Sequence, residues 1–149
     1  NFRGIAERGN NLTMNIQEID SFLAQPLVAV IGTLDGEGRS RLAPLWIHWE
    51  DGAAYMFTSR STLKWRNIQR NSHASLCVDW REPPYRSVVM DGIVEEVDRP
   101  LYDLVLSMAV RYYGEEKGRA FAEGYKADKP EVAVFRLVPR EIVSFVSED

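Results

Sequence analysis

The stretch Phe57-Thr58-Ser59-Arg60-Ser61-Thr62-Leu63-Lys64-Trp65-Arg66-Asn67 marks a change of period in the chain. Before it, Ala53 to Thr58 reads as a strand. After it, Leu63, Arg66, Asn67 and Arg70 fall at helical spacing, which predicts a helix over 61–71 with Ser61 as N-cap. Four hydroxyls, three cations and a helix start thus meet within eleven residues. A helix start offers unpaired N–H groups and the positive end of the helix dipole, which suits a phosphate monoester. Hydroxyls add short hydrogen bonds, and Lys64 adds a charge in the first turn. The same residues also make an ordinary capped amphipathic helix with a solvated basic face. No glycine-rich phosphate loop of the Walker or dinucleotide type is present.

Working outward, Asp51-Gly52 and Asp35-Gly36-Glu37-Gly38 are hairpin turn signals. They join Leu27 to Leu34, Arg39 to Trp49 and Ala53 to Thr58 into an antiparallel meander. Pro44 marks an edge, a bulge or a place where a ligand covers the backbone. Upstream, Ile16 to Leu23 is predicted helical, capped by Asn15 and ended by Pro26, with Ile16, Ile19, Phe22 and Leu23 on one face. Residues 1–14 read as a mobile arm or an expression remnant, with Met14 as the natural start; 15–149 form a single domain.

Downstream, Ala74 to Asp79 returns to strand, and Ser87 to Val97 is a long strand with a bulge at Gly92. Asp98 to Tyr113 is predicted helical, capped by Asp98, with a stripe of Leu101, Leu104, Val105, Met108 and Ala109, and stopped by Gly114. A second helix over 115–124 precedes two strands, Val132 to Val138 and Glu141 to Val146. About seven strands joined mostly by hairpins argue against a parallel doubly wound sheet. The expected class is mainly β: a closed or nearly closed antiparallel barrel with helices outside.

A chain of 149 residues buries a core without disulfides or metal, and a net charge of -4 argues against a nucleic-acid partner. The single cysteine, Cys77, lies in an apolar run and reads as a buried inert thiol. No apolar stretch approaches the roughly 20 residues of a membrane span, so no membrane partner is expected and the expected location is cytoplasmic. His48 and His73 lie too far apart in sequence to suggest a metal site. Glu95 and Glu96, neighbours in a strand, point to opposite faces and read as solvated surface. No nucleophilic triad emerges, so any chemistry must come from a cofactor.

The run Thr58-Ser59-Arg60-Ser61-Thr62-Leu63-Lys64, with Arg66-Asn67-Ile68 and the strand Ala74-Ser75-Leu76-Cys77-Val78, resembles the flavin split-barrel family named after pyridoxamine 5'-phosphate oxidase. Leu27 to Leu34, Pro44-Leu45-Trp46, Pro84-Tyr85-Arg86 and Gly92 resemble it too. The resemblance implies a six- to seven-stranded antiparallel split β-barrel of the FMN-binding type. It makes Thr58, Thr62 and Lys64 phosphate ligands, with Ser59 a further one and Arg41 (or Arg39) another. It sets the backbone of Ala43 to Trp46, hence Pro44, Leu45 and Trp46, along the isoalloxazine ring, with Arg66 either on the anion or in water. Tyr85 and Arg86 are candidates for substrate contact or for covering the ring from a partner subunit.

Two departures bear on activity. The oxidase proper carries a C-terminal arginine–histidine motif absent from this sequence, and Ser87 stands where it has a glutamine near the flavin. The resemblance is therefore to the short oxidoreductases of the superfamily, which use FMN or the deazaflavin coenzyme F420. It implies a homodimer with cofactor sites at the subunit interface and hydride transfer to or from a small organic redox substrate. The alternative is a flavin-binding carrier or redox sensor without turnover. The tryptophans Trp46, Trp49, Trp65 and Trp80 are candidates for cofactor walls or for core and interface packing.

Overall fold

The structure, a computed structural model, describes residues 5–6 and 13–148. Most of the arm expected over 1–14 lies outside the described residues. Within it, β1 (Ile5–Ala6) pairs in parallel with the last strand, and Met14 is buried with its amide donating to Ser144 Oγ at 2.9 Å. α1 (Ile16–Leu23) starts at a capping box in which Asn15 accepts from the Glu18 amide. It buries Ile19, Phe22 and Leu23, while Ile16 stays exposed.

The strands follow as β2 (Ala29–Leu34), β3 (Ser40–Leu45), β4 (His48–Glu50) and β5 (Ala53–Ser59). The single strand predicted over Arg39 to Trp49 is therefore broken into β3 and β4. Beyond α2 (Leu63–Arg70) come β6 (His73–Trp80), β7 (Arg86–Glu96), the paired helices α3 (Leu101–Tyr113) and α4 (Glu115–Ala122), a short 3-10 turn, and β8 (Val132–Val146). The sheet runs β3-β2-β6-β7-β8-β5-β4, every neighbour antiparallel. It is a curled, seven-strand half-barrel whose path stays open between β3 and β4. This is the nearly closed, split form of the expected antiparallel barrel, and β3 is an edge strand, one of the three readings that Pro44 allowed.

Alternation sets the core. Ala29, Ile31 and Thr33 of β2, Leu76 and Val78 of β6, and Val88, Met90 and Val94 of β7 all turn inward. On β8 the inward positions are odd-numbered through Leu137 and even-numbered from Ile142. The parity changes because Asp91 faces Glu141 while Gly92 faces Pro139, leaving Arg140 as the extra residue of a bulge. The two final strands predicted from sequence are one bulged strand. The bulge expected on β7 at Gly92 lies on β8 opposite it, and a Cβ at Gly92 would overlap the Val138 carbonyl oxygen.

α2 closes one end of the barrel with Trp65 and Ile68, Trp65 lying 5.5 Å from the Phe135 ring. α3 and α4 cover the outer face of β5 and β8, where Leu104, Met108 and Val134 pack with Trp46, Tyr55, Phe57 and Tyr112. α3 begins after Pro100 without a side-chain cap, so Asp98 is not the cap. Gly114 ends it at a φ of 91°, a conformation that favours glycine. Among the described residues no helix is long and apolar enough to cross a membrane.

Candidate functional site

β5 carries Thr58 to the inner face and Ser59 to its end, and the chain turns through Arg60 and Ser61 into α2. Both Ser61 and Thr62 suit an N-cap, and the structure uses Thr62, whose Oγ1 accepts from the Trp65 amide at 3.3 Å. The same hydroxyl donates to the Ser59 carbonyl at 3.0 Å and meets Thr58 Oγ1 at 3.0 Å. Its one proton is spent on the carbonyl, so Thr58 must be the donor to Thr62. Ser59 and Ser61 share a contact of 2.9 Å, which leaves one of their two hydroxyl protons free.

Of the first-turn amides, Trp65 N–H is capped, whereas those of Leu63 and Lys64 have no acceptor among the described residues. The Lys64 side chain is half-buried and lacks an ion pair among the described residues; burial pushes its ammonium below the usual lysine range. Two amides, a hydroxyl proton and an uncompensated cation therefore converge at one turn. That donor set fits a phosphate. Thr58 and Thr62, the strongest sequence candidates, spend their protons internally and act as the frame that holds the turn in shape.

Arg60 went unassigned in the sequence, where it was one cation among three. Its guanidinium grips both carboxylate oxygens of Glu96 at 2.7 and 3.1 Å, and its Nε donates to the Pro130 carbonyl at 2.8 Å. It thereby ties the turn to β7 and to the segment entering β8. Glu95 pairs with Arg136, so the two glutamates are ion-paired surface groups.

Arg41 is committed to Asp35 at 2.9 Å, and Arg39 pairs with Glu37 at 2.9 Å. The Arg39 amide foremost, with the Glu37 amide and the Arg41 guanidinium, lowers the Asp35 pKa to about 2. Arg41 is nevertheless well placed. Its cross-strand partner Thr33 accepts from Asn67 Nδ2 at 3.1 Å, and Asn67 lies three residues beyond Lys64 on the same flank of α2. Arg66 is exposed with no polar partner among the described residues.

Pro44, Leu45 and Trp46 diverge. Pro44 is exposed on the outer face, Leu45 packs against the core, and Trp46 stacks on Tyr112 at 4.9 Å. Leu45 and Trp46 also wall an open pocket of about 270 Å³ with Phe57, Phe121 and Tyr125. What the three share is a backbone at the free sheet edge. Tyr85 and Arg86 lie at the opposite end of the barrel from α2: β6 runs from His73, just past α2, to Trp80, the cross-strand partner of Arg86. Those seven residue steps span about 23 Å, so the structure does not bring Tyr85 and Arg86 to the turn of the same chain.

Of the two histidines, His73 is exposed with no ring partner among the described residues, and His48 is engaged. His48 Nδ1 faces the Arg111 guanidinium at 3.1 Å and Nε2 faces Glu50 at 3.2 Å, which fixes the neutral tautomer protonated on Nε2. Burial, outweighing the Glu50 hydrogen bond, pushes the His48 pKa below its usual value. Neither ring nitrogen is offered to a metal. Cys77, expected to be buried, is only partly buried on the outer face of β6; that partial burial, with Asp79 adding to the effect, raises its thiol pKa.

The family model of pyridoxamine 5'-phosphate oxidase matches residues 16–145. Among curated proteins none matches. Among solved structures, the conserved hypothetical protein Rv2991 of Mycobacterium tuberculosis superposes with a TM-score of 0.78 at 21% identity, covering 95% of this chain and 90% of that one. An F420 reductase gives 0.68 at 24% identity, covering 83% and 94%. The haem storage protein HutZ of Vibrio cholerae gives 0.65 at 19% identity, covering 88% and 93%. At these identities the neighbours establish a shared fold, and the family match extends over nearly the whole described chain. The chain belongs to the pyridoxamine 5'-phosphate oxidase family of split barrels.

Proposed function

We propose that the protein is an oxidoreductase that holds FMN, or alternatively the deazaflavin F420, by its phosphate at the turn between β5 and α2. The observation that carries this reading is the half-buried, unpaired Lys64 beside the unpaired amides of Leu63 and Lys64. The Ser59–Ser61 pair supplies a hydroxyl proton, Thr58 and Thr62 frame the turn, and Arg41 and Arg66 are further candidate cations. The edge backbone at Pro44, Leu45 and Trp46 is free to lie along the ring, since Pro44 has no N–H to lose there. When bound, the cofactor supplies hydride chemistry to or from a small organic substrate, and the protein binds, orients and excludes water. His48 gives haem no axial ligand, since both of its ring nitrogens are hydrogen-bonded.

A homodimer completes the reading. Pro44, Val30, Cys77, Val89 and Val143 are cross-strand neighbours in one row on the outer face, flanked by Leu42 at 73% and Val28 at 53% exposure. A second copy would cover this apolar face. From there the partner's Tyr85 could reach the cofactor or substrate, whereas Arg86 is held between Phe22 and Trp80 of its own chain. The single thiol and acidic balance suit a cytoplasmic protein.

Titrating the purified protein with FMN and with F420, followed by visible spectra, tests the proposal. Saturable binding of either supports it, and binding of neither would refute it. Bound cofactor that no hydride donor or acceptor can turn over would assign the protein to the carrier or sensor class instead.

A further inference from the structure

Among the described residues, Lys64 and, at the other end of the barrel, Arg86 are half-buried cations with neither an ion pair nor a hydrogen bond, whereas the half-buried Arg111 bonds His48 and the Ile47 carbonyl. Arg66 and Arg140 also have no polar partner there, but both are exposed. The Arg86 guanidinium carbon lies 5.3 Å from the Phe22 ring centre and 5.2 Å from that of Trp80. Aromatic contacts strip water from a guanidinium but satisfy none of its N–H groups, which need acceptors in their own plane.

Arg86 lines an open cavity of about 560 Å³ between α1 and the ends of β7 and β8. Gln17, Ser21 and Gln25 line it with neutral hydrogen-bonding groups. Glu18 is its one acid, and this carboxylate is turned back to the Asn15 amide in the capping box at 3.4 Å. A planar fork of donors between aromatic rings matches a carboxylate in bidentate fashion. The nearby Glu18 disfavours a dianion such as phosphate.

We propose that Arg86 and the exposed face of α1 form a binding site for the carboxylate of a small organic monoacid. The site stands independently of the cofactor reading. Arg86 grips the carboxylate, Phe22 and Trp80 hold the guanidinium in place, and Gln17, Ser21 and Gln25 contact the rest of the molecule.

The test is a titration of the full chain with benzoate, acetate and inorganic phosphate, followed by the 15N NMR signal of Arg86 Nε and by tryptophan fluorescence. Benzoate should shift the Arg86 signal saturably, with a dissociation constant on the order of millimolar. The shift should disappear in Arg86→Met, weaken about tenfold in Arg86→Lys, and persist in Lys64→Met. An Arg86 signal unmoved by benzoate overturns the proposal, and this holds even if the Arg86 variants fail to fold. Stronger binding of phosphate than of benzoate overturns the ligand class. If benzoate binds only after removal of the residues following Ser147, the chain's own terminus is the occupant and the proposal falls.

Discussion

Replacing Lys64 with methionine should separate two quantities that a structural lysine would move together. In the folded chain this ammonium is half-buried with no counter-charge among the described residues. Its folded pKa is depressed, so the unfolded state holds the proton more tightly. The resulting cost is fully present below the folded pKa and is relieved as pH rises toward the unfolded value near 10.5. At neutral pH, Lys64→Met removes that cost while keeping the aliphatic stem, so the cofactor-free protein should melt no lower than wild type. A charge-assisted hydrogen bond to phosphate contributes about 1.5–3 kcal/mol, so FMN should bind roughly 10- to 150-fold more weakly. For wild type, affinity should decline as pH rises through the lowered Lys64 pKa, and in the variant that decline should vanish. Calorimetric titration and thermal melts of both proteins read these effects. Unchanged FMN affinity, or a cofactor-free protein that melts much earlier, would refute the reasoning.

Arg60→Met should free the turn from β7 and from the segment entering β8, weakening FMN binding although Arg60 makes no contact with the anion. Glu96→Gln should reproduce the loss in part, as measured by the same titration. Asp35, depressed to about 2, contributes stability that is present above its unfolded value of 3.8 and lost as pH falls through 2. Urea melts between these limits should show a flatter pH dependence in Asp35→Asn. Gly92→Ala would place a methyl 2.9 Å from the Val138 carbonyl carbon and against its oxygen. Overpacking of this kind costs on the order of 1–3 kcal/mol, a melting-temperature fall of roughly 3–10 °C.

The hairpins β2–β3 and β4–β5 were legible from Asp35-Gly36 and Asp51-Gly52, but the meander expected through 39–49 was not met, since β3 and β4 stand at opposite ends of the sheet. The β8 bulge was not legible. Apolar residues fill both parities of 132–138 and 141–146 and Pro139 stands between them, so the bulge shows only in the burial of Ala133, Phe135 and Leu137 against Ile142 and Ser144. The choice of Thr62 over Ser61 as cap was not legible, since both have the right chemistry. Only the fold brings the Thr58 hydroxyl against Thr62 and sets Ser61 on Ser59. Likewise, the family resemblance offered Arg41 as a phosphate ligand, but the hairpin that positions it also supplies Asp35 as its partner. What distinguishes Lys64 and Arg86 is partial burial without a polar partner among the described residues, a property of the folded chain that spacing along the sequence does not express.

The central claim is that the turn between β5 and α2 grips a phosphate. The most direct measurement compares the dissociation constant of FMN with that of riboflavin, which carries the same ring and ribityl chain without the phosphate. The account predicts FMN binding at least about tenfold tighter, with the preference lost in Lys64→Met. Equal affinity for FMN and riboflavin in the wild-type protein would contradict it.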